Sequence, residues 1–306
     1  MSLSASVPVS GAAFINALNG VFGRHASARA SHPKGVCARG CFKPAPSLAQ
    51  LLASPMFAQP SLDALVRFSI GGGNPAVSDT TRVVRGIALT LTAGPERYDL
   101  IMLSEPVFFA ATPESFLSFL AARKPNPETG KPDPAKVAEH NARFPDGVRQ
   151  PALIASHPPT RSFLTTAYFS NNAFCFIDAG GKVTTARLMA EPAAGVQYLH
   201  EEEEASGAQS FLANDLVHRL ATGTAVFKLY ALLPAAGDSL VDPATEWLGK
   251  ETILMGTLEI HAPLPPSACE QHTFMPLNLP KGIEPSDDPI LAARPGAYAV
   301  SVTRRV

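Results

Sequence analysis

No apolar run in the 306-residue chain approaches the roughly 20 residues of a membrane-crossing helix, so no segment is a candidate for a helical span. An excess of charge of one sign is missing as well. Twenty-five basic residues face 26 acidic ones, for a net charge of -1, which gives no reason to expect nucleic acid or a charged membrane as partner. The first basic residue is Arg24, so no cationic stretch precedes an apolar one and no secretory signal is expected. The chain is accordingly expected in the cytoplasm or the periplasm. Cysteine is scarce: Cys37, Cys41, Cys175 and Cys269 are the four, and none sits in a Cys-x-x-Cys pair. Cys37 and Cys41 fall in a predicted strand, where four residues span about 13 Å, beyond the roughly 7 Å Cα limit for a disulfide. Free, mostly buried thiols are expected. Internal repeats and low-complexity tracts are absent too. With 46% hydrophobic residues the chain has enough apolar surface for a globular core, and one domain over residues 1–306 is expected.

What is present reads as strands punctuated by short helices, with turns supplied by 29 prolines and 22 glycines. Residues 11–22 carry Phe14, Leu18, Val21 and Phe22 near helical spacing. A strand follows the turn at Pro33-Lys34-Gly35. Within residues 62–92 two more strands are predicted; the second alternates Ile87, Leu89 and Leu91 with Ala88, Thr90 and Thr92. Gly71-Gly72-Gly73 lacks the Lys-Ser/Thr of a phosphate loop and is not read as one. Residues 98–110 form a strand that runs into Pro106. Thr112-Pro113-Glu114 supplies an N-cap, a Pro at the first helical position and an acid in the first turn, which predicts a helix to about Arg123. Asp133-Pro134 starts another, and residues 151–156 a third. Residues 166–192 read as a hairpin turning at Gly180-Gly181. Glu201 to Glu204 invite a metal-site reading, but are read as the acidic first turn of a helix. Its apolar face is Phe211, Leu212, Leu216 and Leu220, and Gly223 closes it. Strands at 225–233 and 252–260 follow. The fold class is α+β, with seven or eight strands, inserted helices and a C-terminal helix.

The C-terminal stretch, Gly282 to Val306, carries the chemistry. Tyr298 stands four residues after Arg294 and seven before Arg305. On a helix these are one and two turns, so the three side chains share a face. A phenol of pKa roughly 10 held as phenolate at neutral pH costs about 4 kcal/mol. A close guanidinium offsets part of this, and a ferric ion bonded to the oxygen offsets more. Tyr is one of the few protein ligands of haem iron. Gly282-Ile283-Glu284-Pro285-Ser286, then Arg294-x-x-x-Tyr298, then Arg305 resembles the proximal haem segment of the haem catalases, in register and without a gap.

Upstream stretches resemble the same family. Arg29, His32, Lys34, Gly35 and Phe42 fit its distal segment, while Ser31 and Pro33 depart from its usual Val and Ala. Ser31 adds a hydroxyl beside the imidazole that competes for its hydrogen bond. Arg67-Phe68-Ser69, the run from Asp79 to Gly86, and the frame Asp99-Leu100 to Phe108-Phe109 match as well. In that last frame Ser104 takes the place of the amide that orients peroxide in catalases; a hydroxyl is shorter and offers one donor where the amide offers two. Phe116 is read either as lining the distal channel or as core. His25 is read as structural.

The matches run from residue 29 to residue 305, and the chain ends right after the proximal helix, as in the short branch of the family, the catalase-related peroxidases. The resemblance implies an eight-stranded antiparallel β-barrel with helices on its outside and a buried haem b. It implies Tyr298 as the iron's axial ligand with Arg294 on the phenolate, His32 as the catalytic base with Ser104 near peroxide, and Arg29, Arg67 and Arg305 on the propionates. Ser69 and Phe109 are placed against the cofactor. The implied reaction is reduction of hydrogen peroxide or an organic hydroperoxide by an organic electron donor, with dismutation weak or absent because Ser104 replaces the amide. Rearrangement of hydroperoxides, as in catalase-related allene oxide synthases, is the alternative that Ser31 suits. A haem-storage barrel has no need of His32. The family tends to self-associate, so a homodimer is expected.

Overall fold

A computed structural model describes residues 9–206 and 209–305. The helices are α1 (Gly11–Phe22), α2 (Pro113–Ala122), α3 (Pro134–Arg143), α4 (Arg149–Ala155), α5 (Glu201–Ser206), α6 (Leu212–Thr222), α7 (Ser267–Glu270) and α8 (Pro289–Thr303). The strands are β1 (Gly35–Pro44), β2 (Leu62–Ile70), β3 (Arg85–Ala93), β4 (Glu96–Leu103), β5 (Tyr168–Phe169), β6 (Phe174–Ile177), β7 (Val183–Pro192), β8 (Ala225–Leu232), β9 (Thr252–Leu264) and β10 (Ile283–Pro285). The sheet runs β10-β6-β7-β5-β4-β3-β2-β1-β9-β8, and β7 also pairs with β8. That last pairing closes eight antiparallel strands into a barrel; β6 and β10 extend the sheet beyond it. Among the described residues no helix is long and apolar enough to cross a membrane.

Strand alternation decides where the core and the chemistry go. On β2, Val66, Phe68 and Ile70 are 0–1% exposed and fill the barrel. Phe68 stacks on Phe163 at 5.4 Å and lies 6.0 Å from Tyr168 and 6.4 Å from Phe227. Burying each such ring stabilises by about 1.5–3 kcal/mol. With a period of two, Arg67 and Ser69 must leave the opposite face of the same strand. Functional side chains therefore stand on the outer wall, under the helices, while the barrel interior is packed apolar core.

Helices α1, α2 and α8 cover that wall and share Phe14, Phe116, Leu120 and Ile290. The rings of Phe14 and Phe116 are 4.9 Å apart, so Phe116 takes its place in this cluster. At the crossing of α1 and α8 a Cβ on Gly11 would lie 2.1 Å from the Gly296 carbonyl oxygen; only glycine permits this approach. The predicted caps form: Thr112 and Ser115 make a reciprocal capping box, and Asp133 accepts from the Ala135 N–H. His25 bonds the Phe22 carbonyl at 2.9 Å, at the end of α1.

Three expectations are corrected. Cys37 and Cys269 are bonded as a disulfide, with Cα atoms 6.2 Å apart; Cys41 and Cys175 are free. Spacing along one strand had ruled out the near partner, and the actual partner lies 232 residues away. The acidic run heads its own short helix, α5, and the apolar face belongs to α6, in which Leu212, Leu216 and Leu220 are buried. Glu204 and Glu203 are bound by Arg82 and Arg161. Finally, α8 ends at Thr303, so Arg305 lies in the turn beyond the helix rather than on its face.

Candidate active site

The site begins at a strained turn. His32 has φ +54°, a left-handed conformation that costs a bulky residue about 1–3 kcal/mol. Two bonds hold it: its N–H donates to the Gly72 carbonyl at 2.7 Å, and its own carbonyl accepts from Arg67 at 2.9 Å. Arg67 also reaches the Pro33 carbonyl at 3.1 Å. Gly35 makes room for this clamp, since a Cβ there would sit 2.7 Å from the guanidinium carbon.

The His32 ring is oriented by Ser69, whose Oγ is 3.0 Å from Nδ1. With the Nδ1 hydrogen donated to Ser69, Nε2 keeps its lone pair. His32 is half-buried, and its Nε2 has no hydrogen-bond partner among the described residues and is not among the buried partnerless atoms, so it keeps accessible surface. Burial, and then the charges of Arg67, Arg294 and Arg85, push its pKa down to about 3. The imidazole is therefore neutral at physiological pH. Gly86 is the floor beneath it: a Cβ there would come within 2.8 Å of Ser69 Oγ and 3.1 Å of His32 Nδ1.

Ser104 is not brought to His32. Its Oγ accepts the Arg85 N–H at 3.0 Å and donates to the Glu105 carboxylate at 3.3 Å. It lines a separate cavity of about 420 Å³ with Arg82, His157 and Tyr198. The residue opposite Gly86 in the β3–β4 ladder is Leu103, and directly paired residues present their side chains to the same face. Leu103, half-buried, therefore stands on the face that carries His32 and Ser69. Ser31 does not hold the imidazole nitrogen either; that hydroxyl is Ser69.

The second half of the site is on α8. Arg294 donates to Tyr298 Oη at 2.8 Å across one helical turn. Its other terminal nitrogen donates to Asn172 Oδ1 at 2.9 Å, and Asn172 Nδ2 donates to the Asp288 carboxylate at 2.6 Å. Asp288 is also the N-cap of α8, accepting from the Ile290 and Leu291 N–H groups. The carboxylate that starts the helix thus anchors, through one amide, the guanidinium that holds the phenol. Asn172 and Asp288 were not singled out from sequence, although Asp288-Pro289 is a helix-start signal.

Three guanidiniums also gather here, and among the described residues none of them is paired with a carboxylate. Arg29 donates to the Cys269 and His272 carbonyls at 2.5 and 2.8 Å, Arg67 to the carbonyls of His32 and Pro33, and Arg305 to that of Glu270 at 3.4 Å. Arg305 Nε is buried without a partner. Burial first, then neighbouring arginines, push Arg29 to about 10 and Arg67 to about 9. Arg305 is lowered by burial, with Tyr298 acting in the opposite sense. Uncompensated positive charge of this kind suits a ligand that carries two carboxylates. Phe109 lies just before α2 in the aromatic cluster under the helices, 4.3 Å from Phe108 and 4.5 Å from Phe119, among side chains that also pack Ala293 and Ala297 of α8.

Barrel, phenol, imidazole and arginine cluster together suit an anionic, iron-bearing ring. The family model for catalases matches residues 12–306, and the chain belongs to the catalase family. It is 34% identical over 295 residues to a catalase-related peroxidase of Synechococcus elongatus, covering 95% of this chain and 87% of that protein. A catalase-related peroxidase of Mycolicibacterium paratuberculosis is 31% identical, with 95% and 93% covered. In fold the chain is similar to a fungal catalase, with a TM-score of 0.82 and 23% identity over 92% of this chain, and to catalase A of Saccharomyces cerevisiae, at 0.82 and 22%. It spans about three fifths of the length of those two catalases. Haem is the cofactor of the family, and the tyrosine, the arginine cluster and the accessible Nε2 of His32 fit it.

Proposed function

We propose that this chain is a haem peroxidase, a single domain that reduces hydrogen peroxide or an organic hydroperoxide with electrons from an organic donor. Two relatives at 34% and 31% identity, both catalase-related peroxidases, support this, as does the site. Haem b is the form the site would take, with Tyr298 on the iron, Arg294 on the phenolate oxygen, and Arg29, Arg67 and Arg305 on the propionates. When bound, the haem supplies the iron that accepts peroxide and the electrons that cleave its O–O bond. The protein's own part is proton handling. His32 Nε2, unprotonated at neutral pH, takes the proton of one peroxide oxygen and returns it to the other, which leaves as water from hydrogen peroxide or as the alcohol from an organic hydroperoxide. A positioned acid–base group of this type contributes about 10²- to 10⁴-fold. Donor electrons and protons complete the reduction, to two waters from hydrogen peroxide or to one alcohol and one water from an organic hydroperoxide.

The observation that carries this reading is the imidazole whose Nδ1 is held by Ser69 at 3.0 Å while its Nε2 keeps accessible surface. Weak dismutation belongs to the same reading. Holding a second peroxide for oxidation needs a hydrogen-bond donor on the distal face, and Leu103 has none. The rearrangement alternative, which Ser31 before His32 suits, is not favoured by the two catalase-related peroxidases that the chain resembles. The protein is further proposed to act as a homodimer, which sedimentation would read. The principal test compares oxygen release from hydrogen peroxide alone with donor oxidation in the same preparation. Donor oxidation is expected to dominate; oxygen release as fast as that of a full-length catalase would sink the peroxidase assignment.

A further inference from the structure

We propose that Cys41, Glu259 and His261 bind a divalent metal ion of zinc's character on the outer wall of the barrel, apart from the haem site. The three residues come from two neighbouring strands. Cys41 on β1 is paired directly with Glu259 on β9, so both side chains leave the same face. His261 follows two residues later, the strand period that returns a side chain to that face. The ladder bulges here: Gly40 pairs with Ile260 and Arg39 with Ala262, which leaves His261 as the extra residue.

The distances suit a shared ion. Cys41 Sγ is 3.4 Å from His261 Nε2 and 4.0 Å from a Glu259 carboxylate oxygen, and the three atoms all lie within 4.8 Å of one another. Around tetrahedral zinc, with bonds of about 2.3 Å to sulfur and 2.0–2.1 Å to nitrogen or oxygen, neighbouring ligand atoms stand about 3.3–3.6 Å apart. Side-chain adjustments of about an ångström close the set, and none of the three side chains is fully buried.

The surroundings select the ligand atoms. His261 Nδ1 is 3.5 Å from Thr224 Oγ1; a hydrogen donated there leaves the Nε2 lone pair facing Cys41. Lys43 Nζ is 2.8 Å from both Glu259 oxygens, which fixes the carboxylate over the strand pair and leaves one oxygen to turn to the ion. A thiolate, an imidazole and a carboxylate form a mixed donor set that suits zinc and does not suit magnesium or calcium, which take oxygen ligands. Among the described residues no fourth Cys, His, Asp or Glu joins the group. One coordination position is therefore left to water or a small ligand, as in zinc sites with three protein ligands.

The test uses haem-loaded protein dialysed against a chelator, titrated with zinc chloride by calorimetry and examined by X-ray absorption at the zinc edge. Expected are saturation at one equivalent, a proton released as the thiol ionises, and one sulfur at about 2.3 Å in the edge fit. Cys41→Ser and His261→Ala are each expected to weaken binding by more than the about 10- to 100-fold that loss of an outer-shell partner brings. An unchanged haem spectrum and melting profile would show that these variants fold. Failure to saturate at one equivalent, a fit without sulfur, or wild-type affinity in Cys41→Ser would overturn the proposal. None of these readouts depends on peroxidase activity.

Discussion

Replacing Ser69 with alanine removes one oxygen atom from a wall position and leaves the apolar core of the barrel untouched. Ser69 is 5% exposed, and its Oγ meets His32 Nδ1 at 3.0 Å. Without it the buried Nδ1–H has no acceptor, and the other tautomer, with its hydrogen on Nε2, becomes competitive. That tautomer cannot take a proton from peroxide. A buried donor left unpaired costs about 1–3 kcal/mol, equivalent to about a 5- to 150-fold loss in rate constant. The loss should appear in kcat/KM for peroxide, while KM for the organic donor stays unchanged. It should also vanish in a His32→Gln background, because Ser69 then has no imidazole to orient. The assay is steady-state donor oxidation at varied peroxide in wild type, both single variants and the double variant. If Ser69→Ala keeps kcat/KM for peroxide within twofold of wild type, or slows the His32→Gln enzyme equally, the proposed role of the serine is refuted.

The remaining expectations follow from the same geometry. Leu103→Asn puts an amide on the face that carries His32 and should raise oxygen release from peroxide alone, whereas Ser104→Asn should not; equal effects would refute the placement of Leu103 on that face. Asn172→Ala leaves both Arg294 and Asp288 short of a partner, which should destabilise the protein by about 1–3 kcal/mol in urea unfolding and alter the ferric absorption spectrum, while an unchanged spectrum would separate Asn172 from the iron ligand. His32 titrates near 6.5 in the unfolded chain and at about 3 in the folded one. The unfolded state therefore binds the extra proton between those values, and stability is full above pH 6.5 and falls as pH drops toward 3. The limit is about 5 kcal/mol. Urea midpoints of wild type should fall more steeply between pH 7 and pH 4 than those of His32→Gln; parallel curves would count against a buried neutral imidazole.

Much of this protein was legible in local patterns. The alternation of Ile87, Leu89 and Leu91 announced a half-buried strand, Thr112 and Asp133 announced helix starts, and Arg294 and Tyr298 one turn apart announced the bonded pair that α8 contains. These features act over four residues or fewer, and helix and strand periods encode contacts at that range directly. Contacts that join distant segments carried no comparable signal. Ser69 reaches His32 across 37 residues, Asn172 reaches Asp288 across 116, and Cys37 is bonded to Cys269 across 232. Each depends on which strands are neighbours when the barrel closes. The exchange of Leu103 for Ser104 at the distal face shows the reason most directly. Consecutive residues of a strand point to opposite faces, so a one-residue difference in register reverses every side chain. That register is set by the pairing of Gly86 with Leu103. The sequence by itself determined the elements and the residues able to bind iron, carboxylates and protons. The closed barrel alone decided which of them meet.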